Sequence, residues 1–412
     1  MQQKRWVSVD KILSYILVLA CGLFVGYKAT SWWPALSGDQ KTVLSYSGQP
    51  SKFAAVSFDL FWKVWDLLEQ RYLEPNDFNI NKMVDGAVSG MVSALDDPYT
   101  MYLPAETKKI SEEDLAGSFY GIGVELGYKD KTLAVVAPIN EGPAAKLGVQ
   151  AGDYIMHVKD KQAGVDEDSY AWTLEKAQSV LRGKKGEPVT VSFLRDGYNN
   201  NLPFEVEITR DEIVIDSVEL EFLENEGGQR YALLTLSRFG ERTTQEWNDA
   251  VTQIAAQKNQ LTGVILDLRN NPGGYFSEAI HVASEFIPKG VIVAQKGRYN
   301  SQDFSASGKG RLYNLPLVVL INEGSASSSE IVAGALRDQL GSKLIGEKTF
   351  GKGLVQERID LDGGGGLNVT IAKWMMPGGG WIQDAGLEPD IEATNDATTE
   401  VDEVIEIAKQ SF

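Results

Sequence analysis

The stretch "LPLVVLINEGSASSSEIVAGAL", Leu315 to Leu336, reads as an unbroken apolar strand, a turn of small residues and a helix. A second stretch, "LTGVILDLRNNPGGYF" from Leu261 to Phe276, repeats the first part of that design. Strands without polar alternation are buried on both faces, so the region from about Ile208 onward predicts a parallel sheet covered by helices in an α/β layer. Gln229 to Phe239 supplies a further strand, and Glu246 to Gln257 a helix. Open sheets of this kind place their chemistry beyond the carboxyl ends of the strands. Two unusual turns stand there: "NNPGG" at Asn270 to Gly274, and Ser325, Ser327, Ser328 and Ser329 within five residues. Four hydroxyls at such a turn can decorate a surface, cap the helix or supply a nucleophile.

Composition limits the choices. A chain of 412 residues can hold two or three domains, each with its own core. The net charge of −18 excludes a nucleic-acid partner, because phosphates would be repelled over most of the surface. The lone cysteine, Cys21, excludes intrachain disulfides and cysteine-based zinc sites. Two histidines, His157 and His281, leave little for a metal centre, so neither metal nor cofactor is expected.

Lys4, Arg5 and Lys11 precede an uncharged apolar run of 16 residues, Ile12 to Tyr27, and Lys28, Trp32 and Trp33 follow it. With lysine snorkelling and interfacial tryptophans, Ile12 to Trp33 is long enough to span a bilayer. The basic flank places the amino terminus in the cytoplasm and the bulk of the chain outside, in a single-pass topology. A cleaved signal peptide is the alternative, and "VLAC" ending at Cys21 resembles a lipoprotein cleavage box.

The anchor (1–36) is followed by a polar tether (37–57) and a helical module (58–115). In that module Phe58, Phe61, Trp65, Leu68 and Tyr72 recur at helical spacing, and Met83, Ala87 and Met91 continue it. The aromatic stripe reads as core or as a homodimer contact. From 116 to 205 the chain turns to short strands and glycine turns: "YGIGVEL", "TLAVVAPI", "GPAAKLGVQAGDYI". This segment resembles a PDZ domain. The resemblance implies that the loop Gly121, Ile122, Gly123 and Val124 holds a peptide's terminal carboxylate in its backbone amides. A glycine hairpin without a ligand is the plain alternative. Residues 206–397 form the core, and 398–412 an acidic tail ending in a short peripheral helix.

A serine nucleophile needs a base. His157 lies in an alternating strand and reads as structural; His281 lies in a helix just past the Gly-Gly turn. Lysine is the other candidate base, since burial favours the neutral amine. In "GEKTFGKGLVQERI", Lys348 adjoins Glu347 and stays charged, whereas Lys352 has no adjacent acid. Gln356 stands four positions on, a step that puts two side chains on one face of a helix or strand. A neutral amide there orients the amine without stabilising its charge.

Taken together, "DPYTMYL", the PDZ-like segment with "LRGKKG", "LDLRNNPGG", "NEGSASSSEI", "TFGKGLVQ" and "GLEPDI" resemble, in order, the carboxy-terminal processing (tail-specific) proteases. That resemblance covers nearly everything after Ser57. It implies an α/β protease core with a crotonase-like parallel sheet-and-helix arrangement, an inserted PDZ domain, and endopeptidase action near the free carboxyl ends of protein or peptide substrates. It assigns Ser327 as nucleophile, Lys352 as base and Gln356 as its helper. The amides of Gly273 and Ser328 would form the oxyanion site, with Ser325 and Ser329 as turn and cap residues. Arg182, in "LRGKKG", would help sense the bound peptide or serve structure alone. At Ser328 the chain departs from the family's alanine. The rival readings are a non-catalytic PDZ adaptor binding exported tails, and another acyl hydrolase on the same core.

Overall fold

Strands form where apolar runs can be covered on both sides, and two five-residue runs set the arrangement. The computed structural model describes residues 43–44 and 57–412, apart from 75–77, 140, 309, 396–398 and 400. The N-terminal part holds strand β1 (Val43–Leu44), helices α1 (Asp59–Arg71) and α2 (Ile80–Ser93), strand β2 (Met101–Leu103) and helix α3 (Ala105–Ala116). The inserted part holds β3 (Ser118–Gly121), β4 (Val124–Lys129), β5 (Thr132–Pro138), α4 (Pro143–Lys146), β6 (Tyr154–Asp160), β7 (Val165–Asp168), α5 (Leu174–Leu181), β8 (Pro188–Leu194), β9 (Phe204–Thr209) and β10 (Asp211–Val214). The core follows with β11 (Val218–Glu224), β12 (Arg230–Leu236), α6 (Thr243–Gln257), β13 (Gly263–Asp267), α7 (Phe276–Phe286), β14 (Val291–Gly297) and β15 (Ser301–Ser305). It ends with β16 (Leu317–Ile321), α8 (Ser328–Leu340), β17 (Lys343–Gly346), β18 (Leu354–Leu361), β19 (Gly366–Met375), β20 (Ile391–Glu392) and α9 (Glu403–Lys409).

All five residues of β13 and all five of β16 are buried. They lie in a six-stranded sheet of order β11-β12-β13-β16-β17-β20, parallel except at the β11–β12 edge. Alternate residues feed opposite cores. Val264, Leu266, Val319 and Ile321 pack with Trp247 of α6, Val282 of α7 and Val332 of α8. Ile265, Val318 and Leu320 pack with Val404 and Ala408 of α9. The expectation of a parallel sheet covered on both faces therefore holds.

The tail expected to be peripheral does not stay at the periphery. α9 is the cover of the second face: Ala408 is fully buried, Tyr231 Oη donates to Lys409 O at 3.0 Å, and the Tyr231 and Phe412 rings lie 5.2 Å apart. Acidic composition pointed outward, while the apolar residues Val404, Ile405, Ile407, Ala408 and Phe412 decided the packing.

A second sheet, of order β1-β18-β19-β14-β15 with β2 on β19, is antiparallel apart from the β1–β18 pair. It holds the Lys352 loop against the first sheet's helices. In the inserted part, β4-β5-β6-β8-β9 form an antiparallel sheet with β7 on β6, and its last strand runs past the division at 205. The chain enters and leaves this insert through the paired strands β3 and β10. In α1 the aromatic stripe packs on itself, with the Phe61 and Trp65 rings 6.0 Å apart. Phe58, Trp62, Leu68 and Tyr72 remain exposed rather than in a core. The expected anchor, Ile12 to Trp33, lies outside the described residues; among those described, no helix is long and apolar enough to cross a membrane.

Removing residues 403–412 uncovers Ile265, Val318, Leu320 and Ile345. At about 1.5–3 kcal/mol for each large aliphatic side chain exposed, the shortened chain is expected to melt well below the full one. Calorimetry checks this, and an unchanged Tm would count against the packing.

Candidate active site

The two turns singled out in the sequence meet at the ends of β13 and β16. Ser325 Oγ donates to Leu268 O (2.8 Å), Ser329 Oγ to Asn271 O (2.8 Å) and Ser328 Oγ to Gly274 O (3.1 Å). Three of the four serines thus tie one turn to the other, and Ser327 makes no such tie. Ser325 also accepts from Asn322 N as a turn residue should, whereas Ser329 is a buried strut and not a cap. The hydroxyl that Ser328 has in place of a methyl group is explained by its bond to Gly274 O.

Ser327 stands at the N-cap position of α8 with φ +54° and ψ −113°. Such backbone costs about 1–3 kcal/mol for a residue with a side chain and persists only when the surroundings over-determine it. A sharp strand-to-helix turn of this kind lifts a hydroxyl clear of its own helix. Gly273, at φ +98°, presses against it. A Cβ on Gly273 would lie 2.9 Å from Ser327 Cβ and 3.0 Å from Ser328 N, so only glycine leaves the site open. The Gly273 amide itself donates to Asn271 Oδ1 at 2.9 Å, so an oxyanion would have to share or displace that bond. Ser328 N belongs to the first turn of α8, whose amides lack intrahelical acceptors.

Lys352 lies in the loop ahead of β18, half-buried, with Nζ 5.1 Å from the Tyr99 ring centroid. Burial pushes its amine below the usual lysine range, against the opposing charges of Glu330 and Asp97. The absence of a neighbouring acid in the sequence therefore did not carry over to space, since both carboxylates arrive from distant segments. Trp374 Nε1 donates to Lys352 O, and Trp381 Nε1 to Gly353 O, each at 2.9 Å, so the loop cannot drift.

Gln356 lies within β18, beyond a bulge at Val355/Gln356, so the regular four-residue step expected from sequence does not apply. Its Nε2 donates to Thr370 Oγ1 at 3.3 Å, and Thr370 is bonded to Asp97. Thr100 Oγ1 donates to the same carboxylate at 2.7 Å and accepts from Thr370 N at 3.0 Å. Burial alone would raise Asp97, but these bonds outweigh it and hold the carboxyl below its usual range. His281 Nε2 is buried without a hydrogen-bond partner among the described residues, and His157 is held between Asp166 and Asp168, each at 2.8 Å.

In the insert, a groove of about 790 Å³ is lined by Gly121, Ile122, Gly123, Val124 and Arg182, with Val214 of β10 and Arg238 of the core also in its wall. Arg182 Nη1 and Nη2 donate to Glu113 (3.1 Å) and Asp114 (2.8 Å) of α3, and its guanidinium lies 4.1 Å from the Phe119 ring centroid.

Comparison with known proteins decides the family. The profile of Peptidase family S41 matches residues 230–393, that of the PDZ domain 121–208, and that of the activating protease CtpB N-terminal domain 16–107. Carboxy-terminal processing protease CtpA of Bacillus subtilis (strain 168) is 36% identical over 351 residues, covering 85% of this chain and 72% of that protein. The chain belongs to peptidase family S41. The carboxy-terminal-processing protease of Bartonella bacilliformis is 37% identical, with 80% and 74% of the two chains covered. The solved structure of a photosystem II D1 C-terminal processing protease superposes with a TM-score of 0.51 at 28% identity, covering 84% of this chain and 95% of that one. The protein is thus a carboxy-terminal processing serine protease with a PDZ domain, and the reading as a non-catalytic adaptor falls away.

Sequence reasoning missed several residues of the protease's site. Glu330 was within the quoted motif, and a glutamate three positions after a serine is a capping-box signal. Its Oε2 accepts from Ser327 N (2.8 Å) and Lys352 N (2.9 Å), and its Oε1 from Gly351 N (2.7 Å) and Thr349 Oγ1 (2.6 Å). Asp97, Tyr99 and Thr100 were legible only as pieces of "DPYT", and Thr370 and Trp374 carried no local signal.

Thr370→Val removes the hydroxyl between Gln356 and Asp97 with little change of volume. The variant is expected to fold normally and to lose about tenfold in kcat with KM unchanged, as misplacement of a working group does. Steady-state kinetics on a quenched fluorescent peptide would check this.

Proposed function

We propose that the protease cleaves exported proteins near their free carboxyl ends through a Ser327/Lys352 dyad. The observation that carries this reading is the strained Ser327 turn packed on Gly273 and bonded through its amide to Glu330, with the loop of a lysine whose burial favours the neutral amine bonded to that same carboxylate. Ser327 Oγ attacks the substrate carbonyl while its proton passes to Lys352 Nζ. The tetrahedral intermediate then expels the amine, which takes that proton from Lys352. Water hydrolyses the Ser327 ester with the same base. Gln356, held by Thr370, orients the amine. The Ser328 amide receives the oxyanion, joined by Gly273 once Asn271 shares its bond.

The PDZ groove receives the substrate's terminal carboxylate at Gly121 to Val124, with Arg182 at its wall. The domain layout of the sequence reading is retained, with the insert extended through β9. The run from Ile12 to Trp33 tethers the catalytic part outside the membrane, and the exposed aromatic face of α1 suits a homodimer contact. Carbonate extraction of membranes, in which the full chain stays in the pellet, checks the tether.

Ser327→Ala and Lys352→Ala are each expected to abolish cleavage while leaving the fold intact. Lys352→Arg should be equally inactive, because a guanidinium cannot accept the proton. The rate should rise with pH through an apparent pKa below the roughly 10.4 of an ordinary lysine, since activity requires the deprotonated amine. A fully active Lys352→Ala would overturn the dyad.

Peptides ending in a free carboxylate and an apolar residue should bind the groove at least about tenfold more tightly than their amides, the loss of one charge-assisted contact. Calorimetric titration of Ser327→Ala, which leaves substrate uncut, compares them. Equal affinities would exclude carboxylate recognition.

A further inference from the structure

The mechanism above uses a hydroxyl, an amine, two backbone amides and the Gln356 side chain, but leaves out the most completely buried ionisable group beside them. Glu330 has no exposed surface and four donors around its two oxygens. Three of those donors are backbone N–H groups, which can only donate, so the geometry matches an ionised carboxylate rather than a protonated acid. Thr349 Oγ1 accepts from Leu387 N at 2.7 Å, which turns its own proton towards Glu330. Burial pushes the carboxyl up from its usual range, and these bonds oppose it.

One oxygen of this carboxylate accepts from both Ser327 and Lys352. The nucleophile's turn and the base's loop come from different sheets, and this oxygen is a direct polar link between their backbones. We propose that Glu330 is a positioning residue for the peptidase reaction, locking the two backbones into one frame and holding a negative charge beside the amine. The inference rests on the Ser327/Lys352 reading. A dry, half-buried lysine is a good base only if the ammonium it becomes during attack is tolerated. The fixed carboxylate supplies that tolerance at the moment the proton arrives, much as the aspartate of a serine–histidine–aspartate triad stabilises its imidazolium. The other groups facing the amine are Asp97, whose charge acts in the same sense, and the Tyr99 ring.

The test is Glu330→Gln in the full-length protein, assayed on a quenched fluorescent peptide across pH. Glutamine keeps the shape, removes the charge and turns an NH2 towards donors. The expected result is a loss in kcat of about 100-fold with KM within about threefold. The acidic limb of the kcat profile should also move down by about one pH unit, because the ammonium loses a stabilising charge. A kcat near the wild-type value, or a lowered kcat with the limb unmoved, would overturn the proposal; the latter would mark a purely structural role. Should this variant fail to fold, Glu330→Asp withdraws the charge by one methylene. It should lower kcat by about tenfold and move the limb down by less, and an unmoved limb again overturns the proposal. Inactive Ser327→Ala and Lys352→Ala beside a wild-type-like Glu330→Gln would remove the Glu330 assignment alone, whereas active alanine variants would remove the dyad beneath it.

Discussion

The interaction on which the site depends is the buried carboxylate of Glu330 and its four donors. Taking an ionised carboxylate out of water costs several kcal/mol, and only close, complete hydrogen bonding offsets that. Here the bonding is complete, and its donors lie in two places: the turn that ends β16 and the loop that precedes β18. The same bonds over-determine Ser327, whose φ of +54° needs support from outside its own turn. Gly273 supports it from a third segment by leaving no room for a side chain.

The N-terminal module and the insert are built onto this centre rather than beside it. Asp97, Tyr99 and Thr100 precede β2, which pairs with β19, so the "DPYT" turn reaches Thr370 and the Lys352 amine. Helix α3 then touches both of the other parts. Glu113 and Asp114 hold Arg182 at the groove, while Ser111 Oγ accepts from Arg358 Nη2 at 2.7 Å and Lys108 pairs with Asp360 at 3.2 Å. Arg358 and Asp360 lie on the same strand as Gln356. The groove wall and the strand that carries Gln356 thus share one helix as a neighbour.

Elements with a period or an unbroken apolar run were legible before any coordinates. β13 and β16 read as buried strands because no polar residue interrupts them, and the aromatic spacing announced α1. The failures share a cause. α9 was misplaced because local acidity says nothing about which sheet face lacks cover, and Val404 and Ala408 supply that cover. The bulge at Gln356 broke a step argued from regular geometry. The acids around Lys352 were invisible because sequence adjacency was taken as spatial adjacency, while Glu330 and Asp97 come from 22 residues before and from the far N-terminal module.

What the sequence by itself determined is the set of parts: a sheet of apolar strands, a glycine loop between short strands, a serine turn, and a lysine in a glycine-rich loop. Those follow from residue chemistry and short-range periodicity, which act over a few positions and need no partner. Only the tertiary structure decided which serine is left out of the ties between the two turns, since the hydroxyls of Ser325, Ser328 and Ser329 bond to carbonyls more than fifty positions away. It also decided that the lysine keeps acids for neighbours. Both outcomes are long-range, because hydrogen bonds and burial are set by what the folded chain brings near, and the order of residues records that only indirectly.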